Sequence, residues 1–321
     1  MAGPSVGVIV HNGSGMARLK TAVRSVLSQT VPPTQVIVIC SDLSSAEIQF
    51  WRLFAESDHR FSLLEADPET SITLAINDAI GALKSDLVAF LAGDDAWSPV
   101  KLATQAGLLC SGSLPWSASS ALLVEGKWRA VRAMRVPNME SLPAYVATNC
   151  WPIGRSTIVA QRSALREVGG FDSGAGNLAD WDLWLSFALQ YGSPVVADDA
   201  LSVLRVFPKV ASSDRNAPLS DYSYVMDKHA VSASRLGLTF QPWRVGVPAP
   251  ACDRASRDRT HYRPSWFTDS TAVRWWATCL KAGSSMESWI ARRAVPDSWQ
   301  CVAEGWLTQL MKMEVREEES S

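Results

Sequence analysis

Four short apolar runs dominate the first hundred residues: Val6-Gly7-Val8-Ile9-Val10, Val36-Ile37-Val38-Ile39, Phe61-Ser62-Leu63-Leu64 and Leu87-Val88-Ala89-Phe90-Leu91. Runs this short, with no polar alternation, suit strands buried on both faces. Helical spacing fills the gaps. Leu19, Val23, Val26 and Leu27 share one face, and Pro32-Pro33 ends that helix. A second helix passes through Phe50 to Phe54. A third runs from Ile72 to Leu83 with Leu74, Ile76, Ala79, Ile80 and Leu83 as its apolar positions. Strand-helix-strand repeats with short links predict a doubly wound, mostly parallel sheet with helices on both faces. Ligands of such sheets sit beyond the carboxyl ends of the strands. Three of those ends carry polar loops: His11–Gly15, Ser41–Ser45 and Gly93–Trp97.

The rest of the 321-residue chain is read more coarsely. Residues 110–150 suggest short strands and loops around Trp116, Trp128 and Pro137. Ser163 to Val168 is a short helix closed by Gly169-Gly170. Ala179 to Tyr191 is a stronger one, closed by Gly192. Val245 to Pro264 is rich in Pro, Arg, Ser and Asp and predicts a linker or ordered loop. Helical patterns return around Val273–Leu280, Met286–Ala294 and Trp299–Val315. The expected division is one domain over residues 1–210, followed by a helical region over 211–321. Within the domain, residues 1–100 and 101–210 are read as two parts.

Hydrophobic residues make up 47% and charged residues 19% of the chain, which excludes wholesale disorder. A net charge of −2 gives no global reason to expect a polyanion partner. No apolar run reaches the roughly 18–20 residues of a membrane span. Met1 to Val10 lacks the pattern of a secretory signal. The expected location is therefore the cytoplasm, or the surface of a membrane. The six cysteines include no Cys-x-x-Cys pair, and with four scattered histidines they spell no metal cage.

Five segments, in order, resemble the family-2 glycosyltransferases, which have the GT-A fold. They are the opening strand and helix through Ser25-Val26-Leu27-Ser28-Gln29-Thr30, the strand Gln35–Ile39, and the helix with Asn77. The fourth is Phe90-Leu91-Ala92-Gly93-Asp94-Asp95-Ala96-Trp97-Ser98-Pro99 with Lys101-Leu102. The fifth is Val168-Gly169-Gly170-Phe171-Asp172 followed by Asp180-Trp181-Asp182-Leu183-Trp184-Leu185. The resemblance covers residues 5 to 205 and implies a donor part over residues 1–100 and an acceptor part over 101–210. It implies a metal-dependent, inverting hexosyl or related transferase that takes a nucleotide-diphospho-sugar, most simply a UDP-sugar.

The chemistry accounts for the residue types. A departing diphosphate develops negative charge, which a hard cation such as Mn²⁺ or Mg²⁺ offsets through oxygen ligands. Asp94 matches the last Asp of the family's DxD and is the implied metal ligand. Asp95 is assigned to the ribose, a water or the loop itself; for the Asp94-Asp95 pair, a plain cap on the helix starting near Pro99 is the alternative. Asp180 matches the base that deprotonates the acceptor hydroxyl, with a first-turn helix carboxylate as the alternative. Asp182 is read as a helix-surface residue. Trp181 and Trp184 would wall the acceptor site. His11, Asn12, Asp42, Asn77 and Arg205 complete the expected donor contacts.

Several family positions differ. The Asp pair after the second strand becomes Cys40 and Ser41, with Asp42 one place later. Ala92 replaces the first DxD carboxylate, Ala179 the Glu before the base, Ile76 the Arg before Asn77, and His11 the proline after the first strand. A Gln-x-x-Arg-Trp motif soon after the base marks processive synthases. Only Arg274-Trp275 remains here, far downstream, so a single addition is preferred over polymerisation.

Half of the 14 tryptophans lie in the C-terminal third. Core packing is the ordinary explanation. Arg244, Arg254, Arg257, Arg259 and Arg263, against Asp253 and Asp258, interleave with Trp243, Tyr262 and Trp266. Arginine with aromatics can also hold exposed bases. Arg254, Arg257 and Arg259 are thus candidate acceptor contacts, and the acceptor classes in view are a glycan, a lipid-linked molecule or a modified nucleic-acid base. Pairing of two copies through the C-terminal helices is the other use. The rival from a different class is a non-catalytic module that binds a nucleotide or a partner.

Overall fold

A computed structural model describes residues 3–11, 15–41, 43–67, 71–125, 129–134, 136, 154–205, 219–238 and 306. The strands are β1 Val6–His11, β2 Gln35–Cys40, β3 Phe61–Glu65, β4 Leu87–Ala92, β5 Ala96–Trp97, β6 Trp116–Glu125, β7 Arg129–Met134, β8 Ile158–Gln161 and β9 Val195–Arg205. The helices are α1 Met16–Leu27, α2 Ser45–Ser57, α3 Ile72–Ala82, α4 Lys101–Ser111, α5 Arg162–Glu167, α6 Ala179–Tyr191 and α7 Leu219–Arg235. All nine strands join one mixed sheet in the order β3-β2-β1-β4-β8-β6-β9-β5, with β7 pairing the far half of β6. The pairings among the first four strands are parallel. Strand β8 then runs antiparallel between β4 and β6, β6 and β9 are parallel, and β5 closes the edge antiparallel to β9.

The apolar runs behave as strands covered on both sides. Val6, Val8 and Val10 pack with α1, α4 and Trp51. Ile9 packs on the other face with α3 and α6. Each such side chain contributes about 1.5–3 kcal/mol on burial. Gly7 stands in β1 because its Cβ position lies 2.4 Å from Ser85 Oγ and 2.7 Å from a Leu83 methyl. A larger residue would push β1 off the end of helix α3.

Local signals set the element ends. Ser44 and Glu47 form a reciprocal cap at the start of α2: the Glu47 amide donates to Ser44 Oγ at 3.3 Å, and the Ser44 amide donates to Glu47 Oε2 at 2.8 Å. Gly170 takes φ +71° in the turn after α5.

Helix α7 falls within the region expected to be helical, 211–321, although the sequence reading placed no individual helix at 219–235, where the apolar positions are sparse. Strand β9 is an addition to the expected elements. The expected linker 245–264, the later helices apart from Trp306, and residues 137–153 lie outside the described residues. Among the described residues no helix is long and apolar enough to cross a membrane.

Candidate active site

Parallel strands β1 and β4 end side by side, with His11 opposite Ala92. The Gly93 amide donates to the His11 carbonyl at 2.8 Å, so the turn Gly93-Asp94-Asp95 is laid across the tip of β1. Gln29 fixes this loop from behind. Its buried amide donates to the Ser25 and Ser98 carbonyls at 2.9 and 2.8 Å, and its carbonyl accepts the Leu102 amide at 2.9 Å. The Ser-Val-Leu-Ser-Gln segment is therefore the mount of the carboxylate loop. Lys101 beneath it is fully buried against Gln105, the Thr157 carbonyl and the Trp97 ring, and burial holds its amine well below the ordinary lysine range.

The two neighbouring carboxylates are treated differently. Asp95 is buried and its oxygens are both engaged. Oδ2 accepts Ser156 Oγ–H at 2.6 Å, and Oδ1 accepts the Arg205 amide at 2.9 Å. Burial pushes its carboxyl up to about 7, against the two hydrogen bonds that favour the ionised form. Asp94 sits at the mouth of the loop, where Arg18 Nη1 reaches its Oδ1 at 3.3 Å. Arg205 Nε lies 3.4 Å from the Asp94 carbonyl. Arg18 is a neighbour of Asp94 that sequence reasoning does not find. It lies in the first turn of α1, and helical phase alone does not mark it.

Asp180 lies in the first turn of α6. Arg155 grips it with two nitrogens, Nη2 at 2.6 Å from Oδ1 and Nε at 3.2 Å from Oδ2. The same guanidinium lies over the Phe171 ring, 5.1 Å from its centre. Arg155 carries no sequence signal, because its partner is 25 residues away.

Asn77, expected at the donor, is engaged elsewhere. Its Nδ2 donates to the Phe171 carbonyl at 2.7 Å and its Oδ1 accepts the Phe171 amide at 2.9 Å. The Gly170 Cβ position lies 2.5 Å from that Oδ1, so the close approach and the positive φ both require glycine there. Asn77 thus ties α3 to the turn that precedes Asp180. Trp184 is buried, stacked on Trp116 at 6.2 Å and set edge-on to Phe171. Trp181 is buried and stacked on Tyr222 of α7 at 5.8 Å. Both are packing residues within the described structure.

The expectation that Asp182 lies on the surface is corrected. It is fully buried, accepting Lys228 Nζ at 2.7 Å, with His229 Nε2 2.7 Å from its other oxygen. Lys228 also reaches Asp172 at 2.8 Å. The docking of α7 turns an apparent surface position into an interior one. Cys40, at the tip of β2, is a buried free thiol that burial pushes up to about 12. Asn12, Asp42, Arg254, Arg257 and Arg259 lie outside the described residues.

The donor set suits a cation that takes most of its oxygens from a bound ligand. Asp94 is one partly exposed carboxylate at the carboxyl ends of the strands, beside Arg18, while both oxygens of Asp95 are used inside. Among the described residues no three His, Cys, Asp or Glu side chains gather as a ready-made cage. A diphosphate would have to supply the remaining oxygens.

Residues 5–114 match the family described as Glycosyl transferase family 2. No curated protein matches the sequence. Among solved structures, S. aureus TarS 1–349 in complex with UDP aligns with TM-score 0.52 at 16% identity, over 97% of this chain and 88% of that one. A second structure of S. aureus TarS aligns with TM-score 0.52 at 17% identity, over 97% of this chain and 53% of that one. Mannosyltransferase PcManGT from Pyrobaculum calidifontis, in complex with GDP-Man and Mn²⁺, aligns with TM-score 0.51 at 16% identity, over 98% of this chain and 86% of that one. Residues 5–114 thus carry the sequence of glycosyl transferase family 2, on the GT-A fold that the chain shares with these glycosyltransferase structures.

Proposed function

We propose that the chain moves a single sugar from a nucleotide-diphospho-sugar, a UDP-sugar, to an acceptor hydroxyl with inversion at the anomeric carbon. The observation that carries this reading is the pairing of two differently held carboxylates: Asp94 at the mouth of the strand-end loop, and Asp180 gripped at the start of α6. The UDP and GDP-Man complexes of similar folds support a nucleotide-sugar donor, and the Mn²⁺ of one supports a divalent cation.

Asp94 would hold Mn²⁺ or Mg²⁺, which when bound offsets the charge of the leaving diphosphate. Asp95 keeps the loop in shape, since both of its oxygens are taken by protein donors. Arg18 and Arg205 bring positive charge beside Asp94 and are placed to meet diphosphate oxygens. Asp180 takes the proton of the acceptor hydroxyl. That oxygen forms a bond to the anomeric carbon as the bond to the diphosphate breaks, and the electron pair leaves with UDP. Arg155 holds the Asp180 carboxylate from one side, and the 32% exposure of the Asp180 side chain would leave it open to an acceptor.

The test is release of UDP from UDP-glucose, UDP-galactose and UDP-N-acetylglucosamine in Mn²⁺, with water as acceptor. Slow release from at least one, abolished by chelation, is expected. No release from any would favour a binding-only module, a reading that Ala92 and Ala179 in place of family carboxylates keep open. We assign the acceptor choice to residues beyond 205, where the family-like segments end. Replacing Arg254, Arg257 and Arg259 together should leave UDP affinity in calorimetry unchanged. A weakened affinity would show that this segment takes part in donor binding.

A further inference from the structure

We propose that Arg155 is the positioning residue of Asp180, and that its neighbour Ser156 fixes Arg155 against the donor loop. The inference rests on the reading of Asp180 as the base and Asp94 as the donor-side carboxylate.

The 3₁₀ turn Arg155–Thr157 leads into β8, which pairs with both β4 and β6. Its first residue turns to the acceptor side and its second to the donor side. Ser156 is buried, and its side chain and carbonyl are both used at the donor loop. Its hydroxyl donates to Asp95 Oδ2 at 2.6 Å and accepts the Ala92 amide at 3.0 Å. Its carbonyl accepts Trp97 Nε1–H and Ser202 Oγ–H, each at 2.8 Å. Residue 156 is thereby pinned by four hydrogen bonds, and Arg155 is one peptide away.

Arg155 in turn has little freedom. Its fork meets both oxygens of Asp180 and its plane lies over Phe171. Phe171 is itself clamped by Asn77. A guanidinium that donates from Nε to Oδ2 and sets Nη2 at ion-pair distance from Oδ1 constrains the torsion of the carboxylate as well as its place, which a lysine ammonium cannot do. A first-turn aspartate with 32% side-chain exposure would otherwise sample several rotamers. The chain Asp95–Ser156–Arg155–Asp180 holds the distance between leaving-group side and base side by covalent and hydrogen-bonded links alone. Misplacement of a reacting group by an ångström costs on the order of 10²-fold in rate.

The experiment uses the full chain and UDP release from the donor it turns over. Arg155→Gln and Arg155→Lys should each lower kcat by about 10- to 100-fold. UDP affinity by calorimetry and the donor KM should stay within about twofold of wild type. Added guanidinium at millimolar concentration should restore some of the rate to Arg155→Ala, a response that a purely structural residue would not give. The double variant Arg155→Gln with Asp180→Asn should be no slower than Asp180→Asn alone, because Arg155 acts through Asp180. Ser156→Ala should lower kcat and weaken UDP binding together, since it frees both sides of the tie. Melting curves accompany each variant, and the lysine variant serves if the glutamine one unfolds.

If Asp180→Asn keeps wild-type turnover, the underlying assignment of the base fails. If Asp180→Asn loses turnover while both Arg155 variants keep it, or if the double variant is additive, the positioning role is overturned and the base assignment survives. Loss of kcat in Ser156→Ala with unchanged UDP affinity would remove Ser156 from the tie.

Discussion

At the scale of single residues, neighbouring carboxylates diverge because their surroundings do. Asp94 stands at the loop mouth beside Arg18, so Asp94→Ala should remove Mn²⁺-dependent UDP binding in calorimetry and leave the melting temperature near wild type. Unchanged affinity would take the metal away from Asp94. Asp95 makes the opposite case. Its carboxyl, ordinarily near 3.8, is pushed up to about 7 by burial. The folded protein therefore binds this proton more tightly than the unfolded chain. The contribution to stability is full below about pH 4 and is lost as pH rises through about 7. Urea midpoints of the metal-free protein should fall across that interval, and Asp95→Asn should flatten the fall. An identical slope in the Asn variant would show that the proton does not reside on Asp95. These contrasts are not legible in a sequence. The letters Asp-Asp announce a polar loop after a strand, but Ser156, 61 residues away, and the Arg205 amide, 110 residues away, hold Asp95 and not Asp94 inward.

At the scale of elements, the parallel half of the sheet was open to reading and the far half was not. Strands β1, β2, β3 and β4 are continuous apolar runs with helices at the expected period between them, so local pattern and final structure agree. Helix α6 was legible for the same reason, from Ala179 to the Gly192 stop. Helix α7 was expected only as part of a helical region, since a charge cluster joins Tyr222 and Val225 in securing its place and such a cluster leaves no periodic signal. Asp182 and Asp172 on one side meet Lys228, His229 and Tyr224 on the other. This docking sits two residues from Asp180, and it carries a measurable load. Lys228→Met with His229→Leu strands a buried carboxylate and should cost about 3–5 kcal/mol in urea unfolding. Adding Asp182→Leu should return most of that loss, because an apolar set of similar volume needs no counter-charge. A double variant as stable as wild type would mean that α7 is held by Trp181 and Tyr222 alone.

At the scale of the whole molecule, the family-matched segment and the folding unit do not coincide. Residues 5–114 contain β1 to β5, yet Leu87, Val88 and Ala89 of β4 pair with β8, and β5 pairs with β9. A fragment ending at 114 should expose that β4 edge and self-associate in size-exclusion chromatography, whereas the full chain should not. A monomeric fragment with sharp amide dispersion would show that the donor half is independent. The pairing of β6 with β9 has a consequence in time. A ribosome adding about 5–20 residues per second completes Trp116 several seconds before it reaches Val195. Throughout that interval the long strand has no parallel neighbour. The nascent chain must shelter Ala118 to Val124 until its partner is made, and the protein's yield in a cell depends on how well that wait is managed.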